Sequence, residues 1–243
     1  MPLSNRKDIR NAVEAMNSAK AWSHSTAHLR AQILYYLAEN LSARTVEFTN
    51  NLQLLTGRAD AKIEVEASIQ RLFFYAAWAD KFDGSARSVP LKAIALVMNE
   101  AIGNCGVICD DRYPLLGFIS AMAPLFATGN RSIIIPSEPF SPIVTDFYQV
   151  LDTSDVPPGT VNILTGKHTD LAIELASHMD IESVWSFSTS DVSRDIEKAS
   201  VSNLKRTWVS NGEKRNWYNE ESQGKQFLTN STENKTIWIP YGE

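Results

Sequence analysis

Over the first third of the chain, apolar positions recur at intervals of three and four residues, the spacing of one face of a helix. Ile9, Ala12, Val13 and Met16 form one stripe, and Leu29, Ile33, Leu37 and Leu41 form a second, with Ser25 placed to cap it. A third helix near Thr45 to Leu55 is stopped by Gly57. A fourth runs from about Ala61 to Phe82, with Val65, Ile69, Leu72, Phe73 and Ala76 inward and Gly84 beyond its end. The pattern predicts an antiparallel helical layer over residues 1–85.

The period then shortens to two. AIALVMNEAIGNCGVIC carries alternating apolar residues on either side of NEAIGN, which predicts a strand pair or two successive strands. Short apolar runs follow at Gly106 to Cys109, Ser132 to Ile135, Val161 to Leu164, Ser183 to Phe187 and Lys205 to Val209, with helical patterns between them. That rhythm suits right-handed βαβ crossovers and a parallel sheet. Pro114 and Pro142 fall where a first helical turn tolerates a missing N–H. After a polar helix or loop from Asn219 to Thr232, a last strand runs from Thr236 to Ile239.

Composition narrows the function classes. The 243 residues carry a net charge of −5, so no long-range field draws nucleic acid or an anionic membrane. No apolar run reaches the length of a membrane span, and the N-terminus lacks an apolar signal core, which predicts a cytoplasmic protein. The two cysteines, Cys105 and Cys109, point to one face if they lie in a strand and read as buried free thiols. His24 and His28 would share a helix face but lack a third ligand, so no metal site is expected; His168, in TGKHTD, reads as an exposed loop residue. Trp185 and Trp208 read as core, and Trp238 as an interface residue.

In an open parallel sheet, ligands bind beyond the carboxyl ends of the strands, here at the turns CDDRYP, IPSEPFSP, LTGKHTD, SFSTSD and VSNGEK. None contains GxGxxG or a phosphate-binding GxxxxGK[ST] loop. Asp110, Asp111 and Arg112 admit three readings: an ion pair closing a vacated pocket, a polar ligand site, or a partner contact.

The ordered series IRNAVEAMNSAKAW, LTGRADAKIEVEASIQRLFFYAAWADKFDG, NEAIGNCGVICDDRYPLL, APLFATGNRSIIIPSE, VPPGTVNILTG, VWSFSTSDVSRDI and ASVSNLKRTWVSNG resembles the aldehyde dehydrogenase superfamily. The resemblance implies an α/β fold: an N-terminal helical layer, a Rossmann-like parallel sheet with helices on both faces, and a small antiparallel oligomerisation flap. It also implies a chemistry of thiolate attack, oxyanion stabilisation, a general base and hydride transfer to a nicotinamide. In the family's positions, Arg112 stands for the oxyanion asparagine and Ser210 for the base glutamate, and no cysteine follows Cys109. Of the dinucleotide contacts, Ile135 replaces a lysine while Glu138 is kept; Phe187, Ser188 and Thr189 align with the turn beside the pyrophosphate.

On this resemblance residues 1–213 form a domain of the NAD-binding type, with flap strands at 92–103 and the parallel sheet at 104–213. Residues 214–243 form a connector and a returning flap strand, in place of the family's catalytic domain. The series is most similar to the degenerate C-terminal half of the two-domain family-16 aldehyde dehydrogenase. The expectation is a non-catalytic domain with vestigial cofactor positions at Glu138, Ser188 and Thr189. No cofactor is expected beyond a residual affinity for NAD, and the partner is a second copy or a catalytic half, joined through flap strands.

Overall fold

The computed structural model describes residues 3–241. Helix α1 (Arg6–Ser18) starts in a reciprocal cap, the Asn5 side chain accepting from the Lys7 amide and Asp8 accepting from the Asn5 amide, each at 2.8 Å. Helix α2 (Ala27–Ala43) is capped by Thr26, not by Ser25, which gives its hydroxyl to the Trp22 carbonyl instead. Helix α3 (Thr45–Thr56) ends on Gly57 at φ 68°, as its sequence demands. Helix α4 (Ala61–Trp78) stops short of the expected Phe82.

Next comes strand β1 (Gly84–Ser88), which the pattern did not predict. GSARS has no apolar residue larger than Ala86 and is exposed throughout, so it is a strand only because β2 (Ala93–Ala101) pairs with it. Then follow β3 (Asn104–Ile108), α5 (Pro114–Ala127), β4 (Arg131–Ile135), α6 (Pro142–Asp152), β5 (Val161–Ile163), α7 (His168–Ser177), β6 (Ser183–Ser186), α8 (Ser190–Ser200), β7 (Arg206–Val209), α9 (Lys225–Asn230) and β8 (Thr232–Pro240). Strand β8 begins earlier than the expected Thr236 and pairs along all nine residues with β2, giving a flap of order β1-β2-β8.

The five parallel strands lie in the order β5-β4-β3-β6-β7. Alternation along them sorts the core into two layers. Cys105, Val107, Ile134 and Trp185 face α2, α3 and α4 together with α5 and α6, whereas α1, expected in the same helical layer, packs on the other face of the sheet. Ile108, Ile133, Ile135 and Val184 face α1, α7 and α8. Helix α5 is buried at every residue, which suits PLLGFISAMAPLFA, apolar on all sides.

The amino end of α5 is held by a buried carboxylate. Glu64, on the inward side of α4, accepts from the Leu115 and Leu116 amides at 3.0 and 3.1 Å and pairs with Arg58 at 2.7 Å. Burial pushes the Glu64 carboxyl up, and the two amides and Arg58 oppose that shift.

The segment after β7, expected to be polar, instead buries Trp217, Phe227 and Leu228 completely in the first core layer. Trp217 lies 5.0 Å from the Phe187 ring, and Phe227 lies 4.8 Å from Trp208. Arg71, itself buried, donates to the Trp217 carbonyl at 2.8 Å, to the Ser222 carbonyl and to the Ser120 hydroxyl, tying the segment to α4. Substituting Trp217→Ala is expected to destabilise the fold by about 3–5 kcal/mol, measured as a lower urea midpoint with little change in slope.

Candidate functional site

The strand order reverses between β3 and β6, because the chain leaves β3 towards β4 and β5 and then returns to the other side. A parallel sheet opens a crevice at such a point, beyond its strand ends. The turns CDDRYP and SFSTSD meet there, and Asp110, Arg112, Phe187, Ser188 and Thr189 line a cleft of about 170 Å³.

The charges of the first turn are satisfied within it. Asp110, 5% exposed, accepts from the Arg112 amide at 2.8 Å, from the Arg112 side chain at 2.6 Å and from the Trp217 indole at 3.2 Å. Arg112 also donates to the Arg215 carbonyl at 3.1 Å, and its own carbonyl accepts from Arg58 at 2.7 Å. Asp111 accepts from the Glu138 amide at 2.8 Å. Of the three readings, the structure contains the internal ion pair.

The residues aligned with dinucleotide contacts are engaged by neighbours. His168 is 2% exposed at the start of α7, which corrects the expectation of an exposed loop histidine. Its Nε2 lies 2.8 Å from the Pro136 carbonyl and its Nδ1 lies 3.0 Å from the Ser188 hydroxyl. A carbonyl only accepts, so Nε2 carries the proton, and in the neutral ring Nδ1 accepts from Ser188. The His168 amide donates to the Glu138 carboxylate. One residue thus joins Glu138, through its backbone amide, to Ser188, through its ring. Thr189 uses its hydroxyl to cap α8, accepting from the Val192 amide at 3.4 Å.

Glu138 lies outside the lining of the switch-point cleft, and Ser210 faces a second cavity of about 720 Å³ beside it, shared with Phe187 and Trp208. Ser210 donates to the Ser188 carbonyl at 3.4 Å. Ile135 is buried in the second core layer.

Cys105 and Cys109 are free, buried and on the same sheet face, as their spacing predicts. Burial pushes both thiols well above the usual range, and Asp110 and Asp111 add to the shift at Cys109. His24 and His28 fall in two different helical segments, a short turn over Lys20–His24 and α2, so they do not share a face. Among the described residues no cluster of three or more His, Cys, Asp or Glu could hold a metal. Trp185 is core, Trp208 is half-buried on the aromatic wall, and Trp238 is 52% exposed on β8.

Comparison with known proteins fits this architecture. A sequence model described as the aldehyde dehydrogenase family matches residues 1–218. Omega-crystallin of Enteroctopus dofleini is 31% identical over 209 residues, covering 83% of this chain and 42% of that protein. Retinal dehydrogenase 2 of Gallus gallus is 29% identical, covering 86% and 41%. The crystal structure of PnpE from Pseudomonas sp. WBC-3 superposes with a TM-score of 0.81 at 27% identity, over 85% of this chain and 43% of that one. The chain therefore spans less than half the length of these relatives. With the matched residues running through the helical layer, the parallel sheet and the turns of its crevice, the chain belongs to the aldehyde dehydrogenase family.

Proposed function

We propose that this chain is a non-catalytic aldehyde dehydrogenase-like domain that works by assembly, with residues 1–213 as its domain and 214–243 as connector and flap strand. It is of the kind represented by the degenerate C-terminal half of the family-16 enzymes, acting in the cytoplasm. The observation that carries the reading is His168, whose buried ring and amide join Glu138 to Ser188. Those are two of the three positions at which the resemblance would place a dinucleotide. A ligand there competes with contacts that are already made.

The chemistry supports the same reading. Arg112 is committed to Asp110 and offers no neutral amide to an oxyanion, and a serine hydroxyl at Ser210 is no carboxylate base. Neither cysteine has access to solvent or a lowered pKa, so neither is a nucleophile. At mildly alkaline pH, a thiol reagent should label neither cysteine in the folded chain and both after denaturation. Rapid labelling of the native protein would reopen the question of a catalytic thiol.

The alternative is an NAD-binding module or accessory half of a working dehydrogenase, a reading favoured by a solved structure of PnpE in complex with nicotinamide adenine dinucleotide. Titration with NAD, followed by tryptophan fluorescence, separates the two. The expected outcome is no saturable response at millimolar NAD. Micromolar quenching that is lost in Glu138→Ala would replace the proposal with the alternative.

Assembly would use the flap. Strand β8 lies at an edge, and Ile94 and Leu96 of β2 stand opposite Ile239 and Ile237, forming an apolar strip in which Ile94, Ile237 and Ile239 are exposed. Such an edge adds strands from a second copy or from a catalytic half. Sedimentation should show a dimer or larger species at micromolar concentration, reduced to monomer by the double substitution Ile237→Lys with Ile239→Lys. A wild-type chain that stays monomeric would remove the basis for self-assembly.

A further inference from the structure

The segment between β7 and α9 lines most of the half-open 720 Å³ cavity, whose volume is within the range of small-molecule sites. Its deep wall is aromatic, with Phe187 and Trp208 lining it and Trp217 and Phe227 fully buried behind. Arg215 lies against all four rings, its guanidinium carbon 5.4 to 5.8 Å from their centroids.

Arg215 is half-buried, and burial lowers its pKa, with Glu221 and Glu213 opposing the shift. Other shielded arginines spend their charge or their donors inside the fold. Arg58 is paired with Asp60 and Glu64, and Arg112 with Asp110, while Arg71 gives three hydrogen bonds. Among the described residues no carboxylate lies within ion-pair distance of Arg215, and of its five N–H donors one is spent, on the Glu221 carbonyl at 2.9 Å. The cavity therefore presents a planar cation on an aromatic wall, with Asn211, Asn216, Asn219 and Gln226 among the polar residues that line it.

We infer that this cavity binds a small monocarboxylate with an aromatic or branched aliphatic body, the carboxylate taken by Arg215 and the body laid against Trp208. A fork of guanidinium N–H groups matches a carboxylate in geometry, and the half-buried setting strengthens the contact. Glu213 and Glu221 on the same lining balance Lys214 and Arg215, so the ring is formally neutral and disfavours polyanions such as pyrophosphate or a dinucleotide. The site is separate from the His168 contact and stands whether or not the chain binds NAD.

Isothermal calorimetry with benzoate, benzamide and pyrophosphate tests the assignment. Benzoate should bind saturably, and neither the uncharged amide nor pyrophosphate should. Arg215→Leu should weaken benzoate by roughly tenfold or more, the loss of a charge-assisted hydrogen bond. Because Arg215 packs on core rings, Gln226→Trp provides a second test: it fills the cavity from an exposed position on α9, leaves Arg215 in place, and should abolish binding. Equal affinity for benzoate and benzamide, unchanged benzoate binding in Gln226→Trp, or no benzoate heat at tens of millimolar would each overturn the proposal.

Discussion

The carboxyl ends of β6 and β7 present an aromatic wall, and the rest of the crevice depends on how that wall is covered. Trp208 packs against both Trp185 and Phe187 there, 4.9 Å from the first and 5.4 Å from the second. Rings of this size each hold roughly 150–250 Å² of surface that is costly to leave in water. Trp217 and Phe227 supply the cover from a segment that is otherwise polar. Burying them pulls their backbone inside as well, and the carbonyls of Trp217 and Ser222 then need donors. Arg71 provides them from α4, although burial drops its pKa to about 10. A guanidinium suits this task, since its fixed fork reaches two carbonyls and a hydroxyl at once.

Seating Trp217 decides what happens in the crevice. Its indole N–H finds an acceptor in Asp110, and its ring packs beside Gly117 of α5. Asp110 is thereby held buried, and a buried carboxylate without a cation would be costly. Arg112, two residues on, folds back to supply the charge. The turn that first reads as a cluster of loose charges is thus a consequence of the plug above it: one aromatic side chain fixes an aspartate, and the aspartate fixes an arginine.

The sheet was legible because its signal is local. Five short apolar runs separated by helical patterns define five parallel strands within a residue or two, and the spacing of Cys105 and Cys109 gives their common face. Strand β1 was not legible, because GSARS gains its strand character from β2 alone. The burial of His168 and the plug of Trp217 and Phe227 were hidden for a related reason. Each depends on partners far away in sequence, Pro136 and Ser188 for the histidine, and Asp110 and Arg71 for the plug. Glu64 left a trace: it sits one position before Val65 on the inward stripe of α4, where a carboxylate needs a reason to be. The alignment of Glu138, Ser188 and Thr189 identified which side chains to follow, and only the three-dimensional contacts reveal that they are already partnered.

A hydrogen-bond account of the two sides of the crevice separates what is closed from what is open. On the side of β4 and α7, the Glu138 carboxylate, both His168 nitrogens and the hydroxyls of Ser188 and Thr189 all have protein partners. On the proposed reading, a ligand entering there competes with these contacts. On the side of β7 and the segment after it, Arg215 keeps most of its donors and faces a cavity with room for a small molecule. Desolvation of that guanidinium has already been imposed by the aromatic wall, so an incoming carboxylate meets a preorganised cation. The segment that covers the aromatic wall also lines the cavity beside it, so the packing of Trp217 and Phe227 and the placement of Arg215 come from one stretch of chain.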